Sequence, residues 1–526
     1  MADVARYFIP MKSFWRWSSF FSAFLFLMAA TQLPARPNII LIMCDDMGWS
    51  DIGCYGGEVN TPNLDRMAKE GLRFTQFYNN AKCTTTRASI LTGLYPRRDR
   101  GGLLRENMVT LGEAMKLAGY QTALSGKWHL GNSASTHPYK RGFDEYYGLL
   151  DGCCNFFNPV QPDPSYKGGK VRKFGHNDEM ITEFPKDYYT TDAFTDHTIG
   201  CVKKFSAKKE PFFLHLCYTA PHYPLHAKPE DIAKYRGKFK ELGGWFKMRE
   251  QRWARLQQMG LAADNWKLSD EDSRAYGWDD ADQDHEDLRM AVYAAMIDSM
   301  DQNIGRLRKA LEDAGVADNT VIFFLSDNGG CAEEPGGRSA KIIPGPKEYY
   351  AAVGPAWGWA QNAPFKKHKS WVHEGGVSTP CIAWWPGKIK ANTITRQPGH
   401  IIDFMPTFLE LAGAKYPEKY KGNEILPVEG KSLLPILEGG KRESHQQLAW
   451  EWSGNRALRE GDWKVVWDSR VKDWELYNLA NDRCETENLA AKEPAQTKRL
   501  SEAWMRWAKE TGLSVGGSKK SKKKKS

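Results

Sequence analysis

The sequence predicts an α/β fold: a large, mostly parallel sheet flanked by helices, followed by a small α+β C-terminal subdomain bearing an antiparallel sheet. Three observations carry this. "NIILIMC" (38–44) and "TVIFFLS" (320–326) are unbroken apolar runs, as expected of strands buried on both faces of a parallel sheet. From Pro37 onward such strands alternate with capped helical segments. Beyond Gly440 the pattern changes to "ALREGDWKVVWDS" and "WELYNLAND", which read as antiparallel strands, and then to the amphipathic helix "AQTKRLSEAWMRWAKE".

The elements follow in order. "TPNLDRMAKEG" reads as a helix with Thr61 as N-cap, Pro62 at its first position and Gly71 as its stop. Thr110 and Glu113 form a capping box that opens a helix ending near Gly119. "YQTALS" and "PFFLHLCY" are further strands. A long helix is expected from Leu288 to about Ala314, with apolar residues at 288, 292, 296, 300, 304, 307 and 311. Two inserts interrupt the alternation. Residues 153–190 are rich in Pro, Gly, Lys and Tyr; residues 228–286 are charged and contain Trp245, Trp253, Trp266 and Trp278. Each reads equally as a substrate-facing loop or as surface decoration.

Charge excludes little and suggests no polyanion partner. The formal net charge of +9 falls to +3 (9 − 6) without the six lysines of "KKSKKKKS", so no nucleic acid is expected and the tail reads as a solvated, disordered end. Lys12 and Arg16 precede "WSSFFSAFLFLMAA", an apolar run short for a spanning helix, and then "TQLPA". That layout is a secretory signal peptide. Export to a periplasmic, extracellular or lysosome-like compartment is expected, with membrane contact only through the signal. The expected layout is a signal peptide (1–35), a catalytic domain (36–440), a C-terminal subdomain (441–512) and the tail (513–526). The ten cysteines show no disulfide framework and no paired CxxC motif, so a structural zinc site is not expected. Cys44 and Cys217 read as core residues.

In an open parallel sheet, ligands bind beyond the carboxyl ends of the strands. Asp45 and Asp46 follow one strand, Lys127 and His129 a second, His222 a third, and Asp327 and Asn328 a fourth. Asp45, Asp46, Asp327 and Asn328 offer only oxygen ligands, which suits Ca²⁺ or Mg²⁺ better than zinc. Lys127, His129, His222 and Lys369 add cationic or proton-transferring groups. A cation with lysines binds a tetrahedral oxyanion. His222 and His226 flank Pro224, so no helical zinc pair is expected, and His226 reads as a surface or supporting residue. His368 and His373 read as structural or rim residues. Cys83 opens the helix "CTTTRASILTG", where free N–H groups favour anions and thiolates, with Arg87 one turn on. From the residues alone, Cys83 is a reactive position beside an anion site.

The stretches "NIILIMCDDMGWSDIGCYG", "CTTTRASILTGLYP", "GKWHLG", "SDNGG" and "NAPFKKHKSWVHEGG" together resemble the formylglycine-dependent sulfatases, in the arylsulfatase A-like branch of the alkaline-phosphatase-like superfamily. The C-terminal "LREGDWKVVW" and "WELYNLANDRCETENLA" are similar to that family's terminal subdomain. The resemblance implies that a maturation enzyme oxidises Cys83 to formylglycine, whose hydrate is the nucleophile. It implies calcium bound by Asp45, Asp46, residue 83, Asp327 and Asn328. Arg87 and Lys127 would steady the diol and the charge near the metal. His129 would take the second hydroxyl's proton, so that the sulfated diol collapses to aldehyde and sulfate. His222 and Lys369 would bind the sulfate and assist departure of the alcohol, and Asp327 would help deprotonate the attacking hydroxyl. The family motif has Pro or Ala where this chain has Thr85. The expected reaction is hydrolysis of sulfate esters, with a sulfated glycan as the preferred substrate. The competing readings are a phosphonate or phosphodiester hydrolase on the same scaffold, and a non-catalytic sulfoglycan-binding protein with Cys83 unmatured.

Overall fold

The run "NIILIMC" forms β1 (Asn38–Cys44), and every one of its residues is buried. Alternate side chains go to opposite faces, as strand geometry requires. Ile40 and Ile42 join an apolar cluster with Met290, Tyr293 and Ile297, whereas Ile39, Leu41 and Met43 join another with Phe404 and Phe408. Both faces of the sheet are therefore covered. The computed structural model describes residues 36–96, 103–270 and 274–513. The expected signal peptide and the Lys-rich tail from residue 514 lie outside the described residues. No helix among the described residues is long and apolar enough to cross a membrane.

The remaining strands of the main sheet are β2 (Leu72–Tyr78), β3 (Gln121–Gly126), β4 (Glu145–Leu149), β5 (Phe174–His176), β6 (Glu179–Met180), β7 (Phe212–Cys217), β8 (Thr320–Ser326), β9 (Ser378–Trp384), β10 (Thr393–Thr395) and β11 (Gly399–His400). They lie in the order β10-β2-β9-β8-β1-β7-β3-β4-β5-β6, with β11 also pairing β2. β8, β1, β7, β3 and β4 run parallel. β9 is reversed against both neighbours, so its first residue lies at the same edge as the last residues of β1 and β8.

Helix boundaries follow local chemistry. The capping box at Thr110 and Glu113 forms as expected and opens the Leu111–Leu117 helix. Thr61 precedes the Pro62–Glu70 helix but does not cap it. Its hydroxyl instead accepts from Gly53 N and donates to Asp65 Oδ1. The long helix spans Gln283–Asp313 and starts five residues before the expected Leu288, because the Asp282 side chain caps it by accepting from His285 N. That first turn is polar, so apolar periodicity does not report it.

After the two-stranded ribbon of β12 (Lys419–Tyr420) and β13 (Asn423–Glu424), the chain forms a four-stranded antiparallel sheet. Its strands are β14 (Leu448–Trp452), β15 (Asn455–Glu460), β16 (Trp463–Asp468) and β17 (Asp473–Asn478). One face packs Leu448, Trp450, Ala457 and Val466 on Tyr78, Ala81, Val372 and Val377. The other packs Ala449, Leu458 and Val465 on Leu500, Ala503 and Trp504 of the Pro494–Glu510 helix. The segments leading to Cys83 and from Lys369 thus rest on this sheet. All ten cysteines are buried and unbridged.

Candidate active site

Six chain segments converge at one edge of the main sheet. Asp45 and Asp46 follow β1, Lys127 and His129 follow β3, His222 follows β7, and Asp327 and Asn328 follow β8. Cys83 follows β2 and opens the Cys83–Thr92 helix, with Arg87 one turn further on. Lys369 arrives on the segment before β9, which reaches this edge because β9 is reversed. All ten side chains are buried except His129, which keeps part of its surface exposed.

The contacts form one network. Lys127 Nζ lies 2.5 Å from Asp45 Oδ2. Arg87 donates from Nη2 to Asp327 Oδ2 at 2.8 Å and from Nη1 to the Lys127 carbonyl at 2.7 Å. Asn328 Nδ2 donates to Asp46 Oδ1 at 2.7 Å. Lys369 Nζ reaches Asp46 Oδ2 at 2.7 Å, and His222 Nε2 stands 3.3 Å from the same oxygen. Nδ1 of His222 donates to the Tyr223 carbonyl at 2.5 Å, which leaves Nε2 to exchange protons with the site. Cys83 Sγ lies 3.4 Å from His129 Nδ1.

Neighbouring charges split the two adjacent carboxyls. Burial, reinforced by the Asp327 charge, pushes Asp45 well above the usual carboxylate range despite Lys127. Burial would raise Asp46 as well, but His222 and Lys369 outweigh it and hold the group far below that range. Burial, with Lys127 and Arg87 nearby, pushes His129 well below the ordinary histidine value, so its imidazole is held neutral. Burial also lifts the Cys83 thiol above its ordinary value, with Lys127 and Lys369 opposing, so the thiol is kept protonated.

Two of these residues carry left-handed backbone: Asp46 (φ 67°) and His129 (φ 60°). Non-glycine residues adopt this conformation at a cost that the surrounding structure must hold. Gly152 leaves room for the His129 ring, because a Cβ there would lie 2.5 Å from His129 Nε2.

The residues fit a hard cation. Asp45 Oδ1 and Asn328 Oδ1 are buried and accept no hydrogen bond. Buried oxygens without a donor are costly unless something positive faces them. Ligand atoms of Asp45, Asp46 and His222 lie within 4.8 Å of one another. Arg87 Nη2 stands 3.9 Å from Asp45 Oδ1, and the two atoms without a hydrogen bond are both oxygens, which favours an oxygen-seeking ion over zinc.

Other expectations fare unequally. His226 is not at the surface: it is buried, with Nε2 on the Tyr349 carbonyl at 2.8 Å and Nδ1 accepting from Phe156 N. His373 is structural, 2.7 Å from Glu475. His368 lines a cleft of about 770 Å³ that opens onto Lys369. The four tryptophans of the second insert pack inward. Trp245 is buried edge-on against Trp278 and Trp357, and Trp253 and Trp266 lie against the core. Both inserts nonetheless reach the cleft, through Lys167 and Arg274. Sequence reasoning missed Glu333, which accepts from Lys82 Nζ at 2.7 Å and Tyr223 OH at 2.6 Å and lies 3.8 Å from Lys369. The available signal was its position just after "SDNGG". Glu374 was also missed; it is buried between Lys464 and Arg483 of the C-terminal region.

Comparison with known proteins places this arrangement. Residues 37–414 match the sulfatase family model, and residues 365–506 match the model for the C-terminal region of N-sulphoglucosamine sulphohydrolase. The chain is 33% identical to an uncharacterised sulfatase of Schizosaccharomyces pombe, over 91% of this chain and 94% of that protein. It is 30% identical to human N-acetylgalactosamine-6-sulfatase, over 88% of this chain and 77% of that one. The crystal structure of Ps i-CgsB in complex with k-i-k-neocarrahexaose superposes with a TM-score of 0.67 at 28% identity, covering 91% of this chain and 94% of that one. A sulfatase-family match spanning the whole strand-edge network leaves one assignment: the chain belongs to the sulfatase family of the alkaline-phosphatase-like superfamily and is a sulfuric ester hydrolase.

Proposed function

We propose that the chain hydrolyses sulfate esters of carbohydrates, R–O–SO₃⁻ plus water giving R–OH and sulfate, through a formylglycine made from Cys83. The observation that carries this is the place of Cys83. It stands at a helix N-terminus, 3.4 Å from His129, inside a network of lysines, arginine and oxygen ligands. N-acetylgalactosamine-6-sulfatase, a relative at 30% identity, supports a sulfated sugar as substrate. The apolar run after Lys12 and Arg16 supports export.

Formylglycine, once hydrated, would supply an oxygen nucleophile, and bound calcium would supply positive charge to the site. Asp45, Asp46, Asp327 and Asn328 would hold the calcium together with the modified residue 83. Arg87 fixes Asp327 and the Lys127 carbonyl, so both segments keep their place relative to residue 83. Lys127 and Lys369 each sit on one carboxylate of the Asp45–Asp46 pair and offer remaining N–H groups to sulfate oxygens. Neutral His129, whose Nδ1 lies 3.4 Å from Cys83 Sγ, would take a proton from the modified residue 83, and His222 would exchange a proton with the departing alcohol through Nε2.

Two measurements on protein from its native source test the reading. Mass mapping of the peptide that spans residues 83–87 is expected to show an aldehyde in place of the thiol. Hydrolysis of defined sulfated sugars is expected to exceed that of the matching phosphate esters by orders of magnitude. A retained thiol, or faster phosphate than sulfate hydrolysis, overturns the reading.

A further inference from the structure

We propose that the mouth of the cleft is a second anion subsite, so that the preferred substrate carries another sulfate or a carboxylate on the sugar next to the scissile ester. The proposal rests on the reading that this site acts on sulfated carbohydrates. The cleft, of about 770 Å³, opens onto Lys369, and that volume has room for more than one sugar unit.

The lining is unbalanced in charge. Its carboxylates are already matched within the protein. Glu333 is held by Lys82 at 2.7 Å, and Glu334 by Arg289 and Arg338, each at 3.2 Å. Two lining cations have no carboxylate partner among the described residues. Lys167, from the 153–190 insert, lies with Nζ 5.6 Å from the centre of the Tyr223 ring and 6.0 Å from that of Tyr350. Arg470, from the turn between β16 and β17, lies 4.6 Å from the centre of the Trp371 ring. Aromatic faces position a cation without neutralising it. Each cation is therefore held at the cleft with its charge still available to a ligand.

The origin of these residues separates this subsite from the sulfate-cleaving network. Lys167 and Arg470 come from an insert and from the C-terminal sheet, and among the described residues their side chains rest on Tyr223, Tyr350 and Trp371 and form no ion pair with Asp45 or Asp46. They act on substrate outside the reacting group, where their effect is on binding and encounter. Contacts made equally in ground state and transition state alter KM and leave kcat unchanged. Attraction between partly exposed charges also weakens as salt rises.

The test is steady-state kinetics of the full, matured enzyme on three substrates: an aryl sulfate, a disaccharide with one sulfate, and the same disaccharide with a second sulfate on the neighbouring sugar. At low salt, kcat/KM for the doubly sulfated sugar is expected to exceed that for the singly sulfated one at least tenfold. Lys167→Ala and Arg470→Ala are each expected to erase most of that preference by raising KM at unchanged kcat, and to leave aryl sulfate hydrolysis as it was. Equal kcat/KM for the two sugars overturns the subsite alone. Variants that slow the aryl sulfate as much as the sugars also overturn it. Aryl sulfate hydrolysis with neither sugar cleaved overturns both the subsite and the carbohydrate reading, which keeps the two failures apart.

Discussion

Cys83 Sγ and His129 Nδ1 lie 3.4 Å apart, although 46 residues separate them in the chain. One stands at the start of a helix after β2 and the other on left-handed backbone after β3. Under the proposed mechanism, this pairing assigns His129 as the base for a modified residue 83. His129→Ala is expected to lower kcat by about 10²- to 10⁴-fold, the usual contribution of a positioned general base. Maturation of Cys83 should be unchanged by peptide mass. Steady-state hydrolysis of an aryl sulfate checks the first point, and a variant with full kcat would remove His129 from the mechanism.

Asp45 Oδ1 and Asn328 Oδ1 are buried oxygens with no donor. Removal of divalent ions with a chelator is expected to lower Tm and abolish turnover, and calcium is expected to restore both. A ligand present at about 1,000 times its Kd stabilises by about 4 kcal/mol, so the shift is measurable by scanning calorimetry. Asn328→Ala is expected to raise the calcium concentration needed for half-maximal restoration.

Thr85 Oγ1 is buried and directed at two carbonyls, Asn80 O and Lys82 O, each at 2.9 Å. It ties down the turn that presents Cys83. Thr85→Ala leaves those carbonyls with one donor fewer and is expected to cost about 1–2 kcal/mol of stability. Chemical denaturation measures this, and the same samples report by mass whether alanine raises the matured fraction.

Glu374 joins the main sheet to the C-terminal sheet. It is 2.8 Å from Lys464 and 3.0 Å from Arg483, and it accepts from Tyr78 OH. Burial alone would raise its carboxyl, but Lys464 and Arg483 outweigh burial and bring it down from 4.5 to about 2. The folded value lies below the unfolded one, so this stabilisation is complete above about pH 4.5 and is lost as pH falls toward 2. Glu374→Gln is expected to flatten the dependence of Tm on pH across that window. At neutral pH it should cost about 3–5 kcal/mol, because buried Arg483 loses its carboxylate partner and Lys464 is left with Glu485 alone. Thermal melts followed by circular dichroism from pH 2 to 7 check both.

The sequence by itself determined the central strands β1, β3, β7 and β8, because unbroken apolar runs such as 38–44 and 320–326 fit a sheet covered on both sides; the strands β2, β4–β6 and β9–β11 were not read from it. It also determined where to look for the site, because ligands gather beyond the carboxyl ends of parallel strands. Asp45, Asp46, Lys127, His129, His222, Asp327 and Asn328 could be read from position alone. Local patterns failed where a residue's partners are distant. Thr61 turned its hydroxyl to Gly53 and Asp65 instead of capping, His226 went inside to meet Tyr349, and Trp245 and Trp278 of the second insert closed on each other and on Trp357. Only the tertiary structure decided that β9 runs backwards and so brings Lys369 to Asp46, that Glu333 and Glu374 balance buried cations, and that Lys167 and Arg470 face one cleft. The reason is physical. A strand's burial is written in its own residues, whereas the partner of a charge is set by which distant segments the sheet order brings to the same edge.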